Sequence, residues 1–254
     1  MIIRRAVPFL KYRSLVCRTM SNLDLAKKKA AYQAVDDFVQ DGTKLGVGSG
    51  STIVYAVERL VQKVKDEGIK VVCVPTSFQA HQLIVQNNLV LGSLETYPEL
   101  DVAIDGADEV DEKFTLIKGG GGCQTQEKIV ASCAKRMVVV GDYTKNSMKL
   151  GEQYKKGIPI EVIPLAHVPV ARKLEKKFGG KTELRMAKMK MGPVVTDNGN
   201  FIIDWHFPDG NTDWEKVNKE ITLFPGVVET GLFVEMADIA YFGQADGTVK
   251  IRKK

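Results

Sequence analysis

One stretch of the chain, residues 101–128, contains the side chains best suited to acid–base chemistry on a small molecule. It reads DVAIDGADEVDEKFTLIKGGGGCQTQEK. Asp105 and Asp108 follow a short apolar strand, and Lys118 follows a second strand. Glu127 lies in the first turn of a predicted helix, whose apolar side chains recur every 3.6 residues. Either aspartate alone could serve an ordinary turn by bonding its own backbone. Their coincidence with an ammonium and a further carboxylate favours a catalytic site.

Four consecutive glycines, Gly119 to Gly122, separate the lysine from that helix. Their backbone N–H groups could converge on one point and bind a phosphate or a developing oxyanion. The alternative is a flexible loop. Because glycine is entropically costly in a fixed conformation, four in a row before a regular helix favour close approach of a ligand to the backbone. Two further acids, Glu109 and Asp111, are expected at the same edge of the sheet.

A second glycine-containing loop, GVGSGST, spans residues 46–52. It connects a predicted strand at residues 44–48 to a helix that runs to about Lys65, and its hydroxyl groups add hydrogen-bond donors to the backbone N–H groups. This arrangement suits a phosphate. The loop is not a Walker loop, it lacks the third glycine of a dinucleotide fingerprint, and the next strand ends without an acid for a ribose hydroxyl. It therefore predicts a site for a lone phosphate, which Lys28 in the first helix could also reach.

The alternation of helices and strands in the first 150 residues predicts an α/β fold. Strands are expected at residues 44–48, 69–74, 89–94, 102–104 and 136–140, with helices in most of the intervals. Such alternation indicates an open, parallel, Rossmann-like sheet with helices on both faces. Ligands bind these sheets beyond the carboxyl ends of the strands, so four loops distant in sequence are expected to line one pocket. These loops are residues 49–52, 105–108, 118–122 and 142–145.

From Tyr154 the order of elements changes to β-α-β-β-α-β, with the last strand expected at residues 227–233, and this is the order of a ferredoxin-like unit. We predict a smaller α+β domain over residues 154–236. The catalytic α/β domain is then expected to comprise residues 21–153 and 237–254, because a strand pattern from Ala240 to Arg252 could rejoin the first sheet.

Composition excludes several classes of protein. Hydrophobic residues make up 44% of the chain, and no apolar run approaches the roughly 18 residues of a membrane helix. The net charge of +5 comes from residues 1–20, which hold five basic side chains and no acid, so the body of the chain lacks the basic face of a nucleic-acid-binding protein. Four cysteines without metal-ligand spacing predict reduced thiols in a cytoplasmic compartment and no metal site. The three histidines are scattered, so proton transfer is expected from carboxylates and lysines.

Residues 1–20 resemble a mitochondrial targeting segment, because they contain Arg and Lys but neither Asp nor Glu. Pro8 and the scarcity of hydroxyl side chains weaken this match. The alternatives to organellar targeting are a disordered tail, or upstream sequence that is unused if translation begins at Met20.

The ordered motifs GVGSGST, DGADEVD, KGGGG with QEK, PVVTDNGN and GVVETGLF resemble those of ribose-5-phosphate isomerase of the A type, and the similarity covers essentially all of the chain from Leu23 onward. The resemblance implies interconversion of ribose 5-phosphate and ribulose 5-phosphate in the pentose phosphate pathway. It also implies no metal or organic cofactor, and a homodimer or homotetramer. The substrate-binding residues that it implies are Ser49, Gly50, Ser51, Thr52, Asp105, Gly106, Ala107, Asp108, Lys118, Gly119, Gly120, Gly121 and Lys145.

The chemistry expected of these residues is proton transfer through an enediolate. The proton-accepting glutamate of the family falls on Glu127, which is the expected base. Lys118 and the glycine N–H groups would stabilise the oxyanion, while Asp105 and Asp108 would carry hydroxyl protons. A helix N-terminus lowers the pKa of a carboxylate and weakens it as a base, so burial by the bound sugar is expected to oppose this effect.

Two other classes of protein fit parts of the pattern. A non-catalytic sugar-phosphate-sensing domain could use the same loops, but it would not need Glu127 and is normally joined to a DNA-binding or partner module. A nucleotide-dependent oxidoreductase is disfavoured by the chemistry of the loop at residues 46–52.

Overall fold

The structure of the chain is a computed structural model that describes residues 20–210 and 213–254. In these ranges the helices are α1 (Asn22–Phe38), α2 (Ser51–Glu67), α3 (Phe78–Gln86), α4 (Gln124–Ser132), α5 (His167–Phe178) and α6 (Trp214–Thr222). The strands are β1 (Lys44–Val47), β2 (Val72–Pro75), β3 (Val90–Leu91), β4 (Val102–Asp105), β5 (Glu109–Val110), β6 (Leu116–Ile117), β7 (Met137–Asp142), β8 (Ile158–Val162), β9 (Lys181–Leu184), β10 (Phe201–His206), β11 (Val227–Thr230), β12 (Leu232–Phe233), β13 (Ile239–Gly243) and β14 (Val249–Lys253). No helix in the described ranges combines the length and the hydrophobicity that a membrane crossing requires. The predictions made for residues 1–19 lie outside these ranges.

Seven strands form the central sheet, in the order β14-β13-β7-β4-β1-β2-β3. All neighbouring pairs are parallel except β13 and β14. The predicted α/β fold with an open parallel sheet is confirmed, with β14 as an antiparallel strand at one edge, and the strand pattern at residues 240–252 does rejoin this sheet. The outermost strand is antiparallel because it returns through a short turn, a connection that parallel neighbours cannot use.

Helices cover both faces of the central sheet, which explains why its inner strands are hydrophobic throughout. The first helix begins after Ser21, whose hydroxyl accepts a hydrogen bond from the Asp24 N–H group, as an N-cap does. Helices α1, α2 and α3 contribute to the core on one face, together with Val138 and Val140 of β7. On the other face, Val130 of α4 belongs to a second cluster. The alternation of side chains along each strand separates the two cores.

The second sheet has the strand order β11-β8-β10-β9 and is antiparallel throughout. Its elements follow one another as β-α-β-β-α-β, so the predicted ferredoxin-like unit is confirmed as part of the fold. Helices α5 and α6 share one core with this sheet, through buried Leu174 and Ile221 on the helices and Ile160 and Trp205 on the strands. The domain boundaries before residue 154 and after residue 236 stay a prediction.

A three-stranded sheet, β12-β6-β5, lies between the two larger sheets. It has no counterpart in the sequence prediction, which treats residues 227–233 as one strand. That strand breaks at Gly231, whose N–H group donates to Pro159 O (2.6 Å) and whose carbonyl accepts from the Lys118 N–H group (2.8 Å). Because of this break, β11 pairs with β8 while β12 pairs with β6. The backbone of Lys118 is therefore fixed where the two units meet.

Candidate active site

The candidate site is centred on the ammonium of Lys118. Its Nζ lies 3.0 Å from Asp105 Oδ2 and 3.2 Å from Glu127 Oε2, and it donates a hydrogen bond to the carbonyl oxygen of Gly106. The exposed fractions of Lys118, Asp105 and Glu127 are only 2%, 3% and 5%. Removing charges from water is costly. A buried group of ionisable side chains at a sheet edge is therefore a candidate for function.

The backbone around Asp105 holds its carboxylate in place. Asp105 ends β4, and its Oδ1 accepts hydrogen bonds from the N–H groups of Ser49 (2.9 Å) and Gly106 (2.7 Å). Gly48 must lack a side chain, because a Cβ at this position would lie 2.1 Å from Asp105 Oδ1. The carboxylate is thus fixed against β1 and directs its second oxygen at the lysine.

The pKa of Glu127 is raised, which makes its carboxylate a stronger base than that of an exposed glutamate. Burial raises this pKa to about 8, the negative charge of Asp105 adds to the effect, and Lys118 opposes it. For Lys118, burial lowers the pKa, but the two carboxylates outweigh burial and the net direction is upward. Glu127 Oε2 makes no hydrogen bond within the described residues, so its contact with the ammonium is an ion pair without hydrogen-bond geometry. Burial thus raises the pKa of Glu127 even in the free protein.

A cleft of about 300 Å³ opens at this point, beyond the carboxyl ends of the central strands. The predicted site residues that line it are Ser49, Gly50, Ser51, Thr52, Gly106, Ala107, Asp108, Lys118, Gly119, Glu127 and Lys145. All four loops proposed from the sequence contribute to this lining. Asp105 is not part of the lining, but it pairs with Lys118, which is.

The N-terminus of α2 provides the part of the cleft best suited to an anion. The N–H groups of Ser51 and Thr52 lie in the first turn, where a helix has no carbonyl partner for them. Gly50 turns the chain into the helix with a φ of +104°, which favours glycine, and its own N–H group donates to Gln79 Oε1 (2.8 Å). These two N–H groups, which have no hydrogen-bond partner among the described residues, and the helix dipole together favour a phosphate here.

Two hydroxyl groups that the sequence analysis did not single out hold the serine of this loop. Ser49 Oγ donates to Ser77 Oγ (2.6 Å) and shares a hydrogen bond with Thr76 Oγ1 (2.9 Å). Both partners are buried. The available signal was the position of Pro75-Thr76 at the end of the neighbouring strand β2, since adjacent parallel strands bring their carboxyl ends together.

The glycine loop, residues 119–122, bends between Lys118 and α4. Gly119 has a φ of +94° and lies so close to Gln124 that a Cβ would approach Gln124 Oε1 to 2.6 Å. The N–H group of Gly120 donates to Asp108 Oδ2 (2.7 Å). Gly120 and Gly121 are exposed and do not line the cleft. The loop therefore reaches the cleft through Gly119 and, by this hydrogen bond, through Asp108.

Comparison with known proteins identifies the family. The family model for ribose 5-phosphate isomerase A (phosphoriboisomerase A) matches residues 72–247. A ribose-5-phosphate isomerase of Dictyostelium discoideum is 60% identical over 233 residues, which cover 91% of this chain and 99% of that relative. This chain belongs to the ribose 5-phosphate isomerase A family. The resemblance drawn from the motifs is confirmed, and so is the prediction that the chain is an enzyme of this family.

Other members of the ribose 5-phosphate isomerase A family match over similar lengths. A ribose-5-phosphate isomerase of Sus scrofa is 58% identical over 236 residues, covering 93% of this chain and 77% of the relative. A solved D-ribose-5-phosphate isomerase in complex with phospho-erythronic acid is 41% identical, with a TM-score of 0.87. Their alignment covers 92% of this chain and all of that structure. The fold is therefore shared along nearly the whole chain.

Within this family fold, Lys28 is a predicted substrate residue that the structure does not bring to the cleft. Its Nζ contacts Glu58 Oε1 at 2.9 Å on the neighbouring helix. Lys27 lines the cleft instead. The helical period gave a signal for this choice, because buried Ala30 and Ala31 follow Lys27 by three and four residues and lie on its side of α1.

Glu109 and Asp111 do not join the other acids, and this part of the prediction is wrong. Glu109 is fully buried in β5, where it accepts hydrogen bonds from Ser147 Oγ (2.8 Å) and from the Gly151 N–H group (2.6 Å). Asp111 accepts from the Thr115 N–H group (2.8 Å) within its own turn. Adjacent side chains of an extended chain point to opposite faces, so Asp108 and Glu109 cannot both face the cleft.

A larger hollow, of about 410 Å³, lies at the opposite edge of the central sheet, where the strands begin. Its carboxylates already form hydrogen bonds or ion pairs that stabilise the fold. Asp101 accepts a hydrogen bond from the Lys44 N–H group (2.9 Å) and pairs with Lys135 (2.9 Å), while Asp37 accepts from the Tyr241 hydroxyl (2.7 Å). The smaller cleft around Lys118 is therefore the better candidate for chemistry, although it is not the larger cavity.

Proposed function

We propose that the chain interconverts D-ribose 5-phosphate and D-ribulose 5-phosphate, in the non-oxidative branch of the pentose phosphate pathway. The observation that carries the proposal is the 3.2 Å contact between Glu127 and the ammonium of Lys118, in a cleft that also contains the N-terminus of α2. A base, an electrophile and a phosphate site are what this isomerisation requires. The reaction as proposed needs neither a metal nor an organic cofactor.

Glu127 is the proposed base. It removes the C2 proton of the open-chain aldose, the electrons of that bond form a C1–C2 double bond, and the aldehyde oxygen becomes the oxyanion of an enediolate. The carboxyl group then returns the proton to C1. The proton of the C2 hydroxyl is transferred to the oxyanion at C1, so C2 becomes the ketone and C1 carries the new hydroxyl group. A carboxylate with a pKa near neutrality suits both steps, because it is a stronger base than an ordinary glutamate and is still partly ionised.

Lys118 is the proposed electrophile. Its ammonium is held between Asp105 and Glu127 before substrate arrives, so it can stabilise the oxyanion without rearrangement of the site. Asp108 lines the cleft and is proposed, with Asp105, to move hydroxyl protons during ring opening. Gly119 is the residue of the glycine loop that lines the cleft, and its N–H group is proposed as a further donor to the oxyanion.

The proposed phosphate site comprises Ser49, Gly50, Ser51 and Thr52, with Lys145 across the cleft. The relative in complex with phospho-erythronic acid supports a sugar phosphate as the ligand of the cleft, since that molecule combines a phosphate with a hydroxylated carbon chain. Lys27 is better placed than Lys28 to add a positive charge, because Lys28 would first have to leave Glu58.

Turnover of ribose 5-phosphate by the purified protein in D₂O tests the proposal. We expect solvent deuterium at C2 of the recovered ribose 5-phosphate, in part if Glu127 returns the proton before it exchanges. Activity is expected to persist in EDTA and without added nicotinamide. Loss of activity on chelation together with no solvent label would contradict the mechanism. Binding of ribose 5-phosphate without any turnover would instead favour the non-catalytic sensing domain.

The assembly of the protein stays a prediction. A homodimer or homotetramer is expected from the family resemblance, and light scattering of the purified protein would measure it. The cytoplasmic location and the alternative of organellar targeting likewise stay predictions.

A further inference from the structure

Arg185 of the smaller unit contacts the glycine loop from outside the cleft. Its Nη1 donates a hydrogen bond to the carbonyl oxygen of Gly119 (2.8 Å) and a longer one to that of Gly120 (3.4 Å). Its other edge faces Asp204 of β10, with Nε donating to Oδ2 (2.8 Å) and Nη2 to Oδ1. The side chains of Arg185 and Asp204 are only 17% and 14% exposed. The guanidinium can make all these contacts at once because its five donors lie in one rigid plane.

The peptide group between Gly119 and Gly120 is consequently held at both ends. Arg185 binds its carbonyl oxygen, and its N–H group donates to Asp108 Oδ2 (2.7 Å). Because a peptide group is planar and rigid, fixing the carbonyl also fixes the direction of the N–H group. A continuous chain of hydrogen bonds therefore runs from Asp204 through Arg185 and this peptide group to the carboxylate that lines the cleft.

We infer that Arg185 is a positioning residue, which acts through the Gly119–Gly120 peptide group to orient the Asp108 carboxylate toward the hydroxyl groups of the sugar. This inference rests on the proposed function, because Asp108 has a hydroxyl proton to transfer only if a sugar phosphate reacts in the cleft. The smaller sheet thereby contributes to the reaction without touching the substrate. Lysine could not replace Arg185, since one ammonium cannot bind both Asp204 and the loop carbonyl in this geometry.

A double-mutant cycle between Arg185 and Asp108 tests the inference. In the wild-type background, Arg185→Lys is expected to lower kcat for ribose 5-phosphate about tenfold or more, with KM changed less than about threefold, because small misplacements of a reacting group are costly. In the Asp108→Asn background, the same substitution is expected to lower kcat less than about threefold, because the carboxylate that Arg185 orients is gone. Arg172→Lys, at an exposed position of α5, is the matched control and should leave kcat unchanged.

A second variant keeps the inference testable if the first one does not fold. If Arg185→Lys unfolds, the pair Arg185→Met with Asp204→Leu removes both buried charges together and so leaves no charge without its partner. This pair should fold, as judged by circular dichroism, and show the same loss of kcat and the same dependence on Asp108.

Each outcome distinguishes the inference from the proposed function. If the wild type isomerises ribose 5-phosphate but the Arg185 variants lower kcat equally in both backgrounds, or not at all, Arg185 does not act through Asp108 and only the inference fails. If the wild type does not isomerise ribose 5-phosphate, the proposed function fails and the inference is overturned with it. A loss of kcat confined to the background that retains Asp108 supports both.

Discussion

At the scale of single residues, the proposed chemistry depends most on the environment of Glu127. The sequence reveals that this carboxylate lies in the first turn of a helix, which by itself lowers its pKa and weakens it as a base. It does not reveal that the side chain is only 5% exposed and close to Asp105. Burial raises the pKa of Glu127 to about 8, which suits a base that works near neutral pH.

Glu127→Gln is the most direct test of that role. The amide keeps the size of the side chain but cannot accept the proton, so kcat for ribose 5-phosphate should fall by roughly 10² or more, with little change in fold or substrate binding. Steady-state kinetics and circular dichroism measure both quantities. Glu112→Gln, at an exposed position, is the matched control. A kcat that stays within a few-fold of wild type would exclude Glu127 as the base.

Residue types alone predicted much of the cleft but not the direction of each side chain. Asp108 and Glu109 are adjacent acids, yet only the first lines the cleft, because the second begins a strand and points into the interior. Lys27 and Lys28 are likewise adjacent, and the ion pair with Glu58 on another helix holds the second away. Such outcomes depend on long-range packing, which a local motif does not contain.

At the scale of elements, the loops of the central sheet were predictable because alternating strands and helices place all their carboxyl ends at one edge. The loop at residues 46–52 follows this rule, and the N-terminus of α2 lines the cleft. A sequence pattern does not reveal which side chains of other elements hold each loop in place by hydrogen bonds. Ser49, for example, depends on two hydroxyls from the next strand end.

Thr52→Val tests the phosphate site at the start of α2. Valine keeps the shape of threonine but removes the hydroxyl, and a hydrogen bond to a charged group contributes about 1.5–3 kcal/mol. We expect kcat/KM for ribose 5-phosphate to fall about tenfold or more. The kcat/KM for unphosphorylated ribose, which we expect to be low because no phosphate is bound, should stay the same. Thr96→Val, in an exposed loop, should change neither value. Equal losses for both sugars would place the phosphate elsewhere.

Three residues of the motif PVVTDNGN, which spans residues 193–200, donate hydrogen bonds to a buried carboxylate. The motif itself does not line the cleft. Glu161 of β8 is fully buried and accepts hydrogen bonds from Thr125 (2.6 Å), Thr196 (2.9 Å), Asn198 (3.0 Å) and Asn200 (2.8 Å). The first of these donors lies in α4, two residues before the proposed base. Glu161 thus joins the turn within this motif and the smaller sheet to α4.

Glu161→Gln should therefore destabilise the protein. The amide nitrogen would face donors where a carboxylate oxygen accepts them, so the free energy of unfolding should fall by about 2 kcal/mol or more. Urea unfolding followed by fluorescence measures this difference. Glu183→Gln in the same sheet, where the side chain is 80% exposed, should change the free energy of unfolding by less than about 0.5 kcal/mol. Similar values for both variants would mean that the four hydrogen bonds contribute little.

At the scale of the whole molecule, each unit was predictable from its own pattern, but the way the units meet was not. The central sheet and the ferredoxin-like unit follow from the order of their elements. The three-stranded sheet between them depends on the break at Gly231, and the contact of Arg185 with the glycine loop joins residues 66 positions apart. The proposed active site combines contributions from both units, so its precision depends on this junction.

Lys118, Asp105 and Glu127 form a buried ionisable cluster close to this junction. The free energy of unfolding of the whole protein should therefore depend on pH. The pKa of Glu127 is raised from 4.5 to about 8 in the folded chain, so between these pH values the folded state binds more protons at this position than the unfolded state does. Stability must then decrease as pH rises through this window, since protons favour the state that binds them. Glu127→Gln lacks this titration, so its free energy of unfolding relative to wild type should increase from pH 5 to pH 8 and then level off. Urea unfolding of both proteins across this range, with Glu112→Gln as the control, measures the difference. A difference that is constant with pH, or that decreases, would mean that the Glu127 carboxyl group ionises at an ordinary pKa in the folded protein.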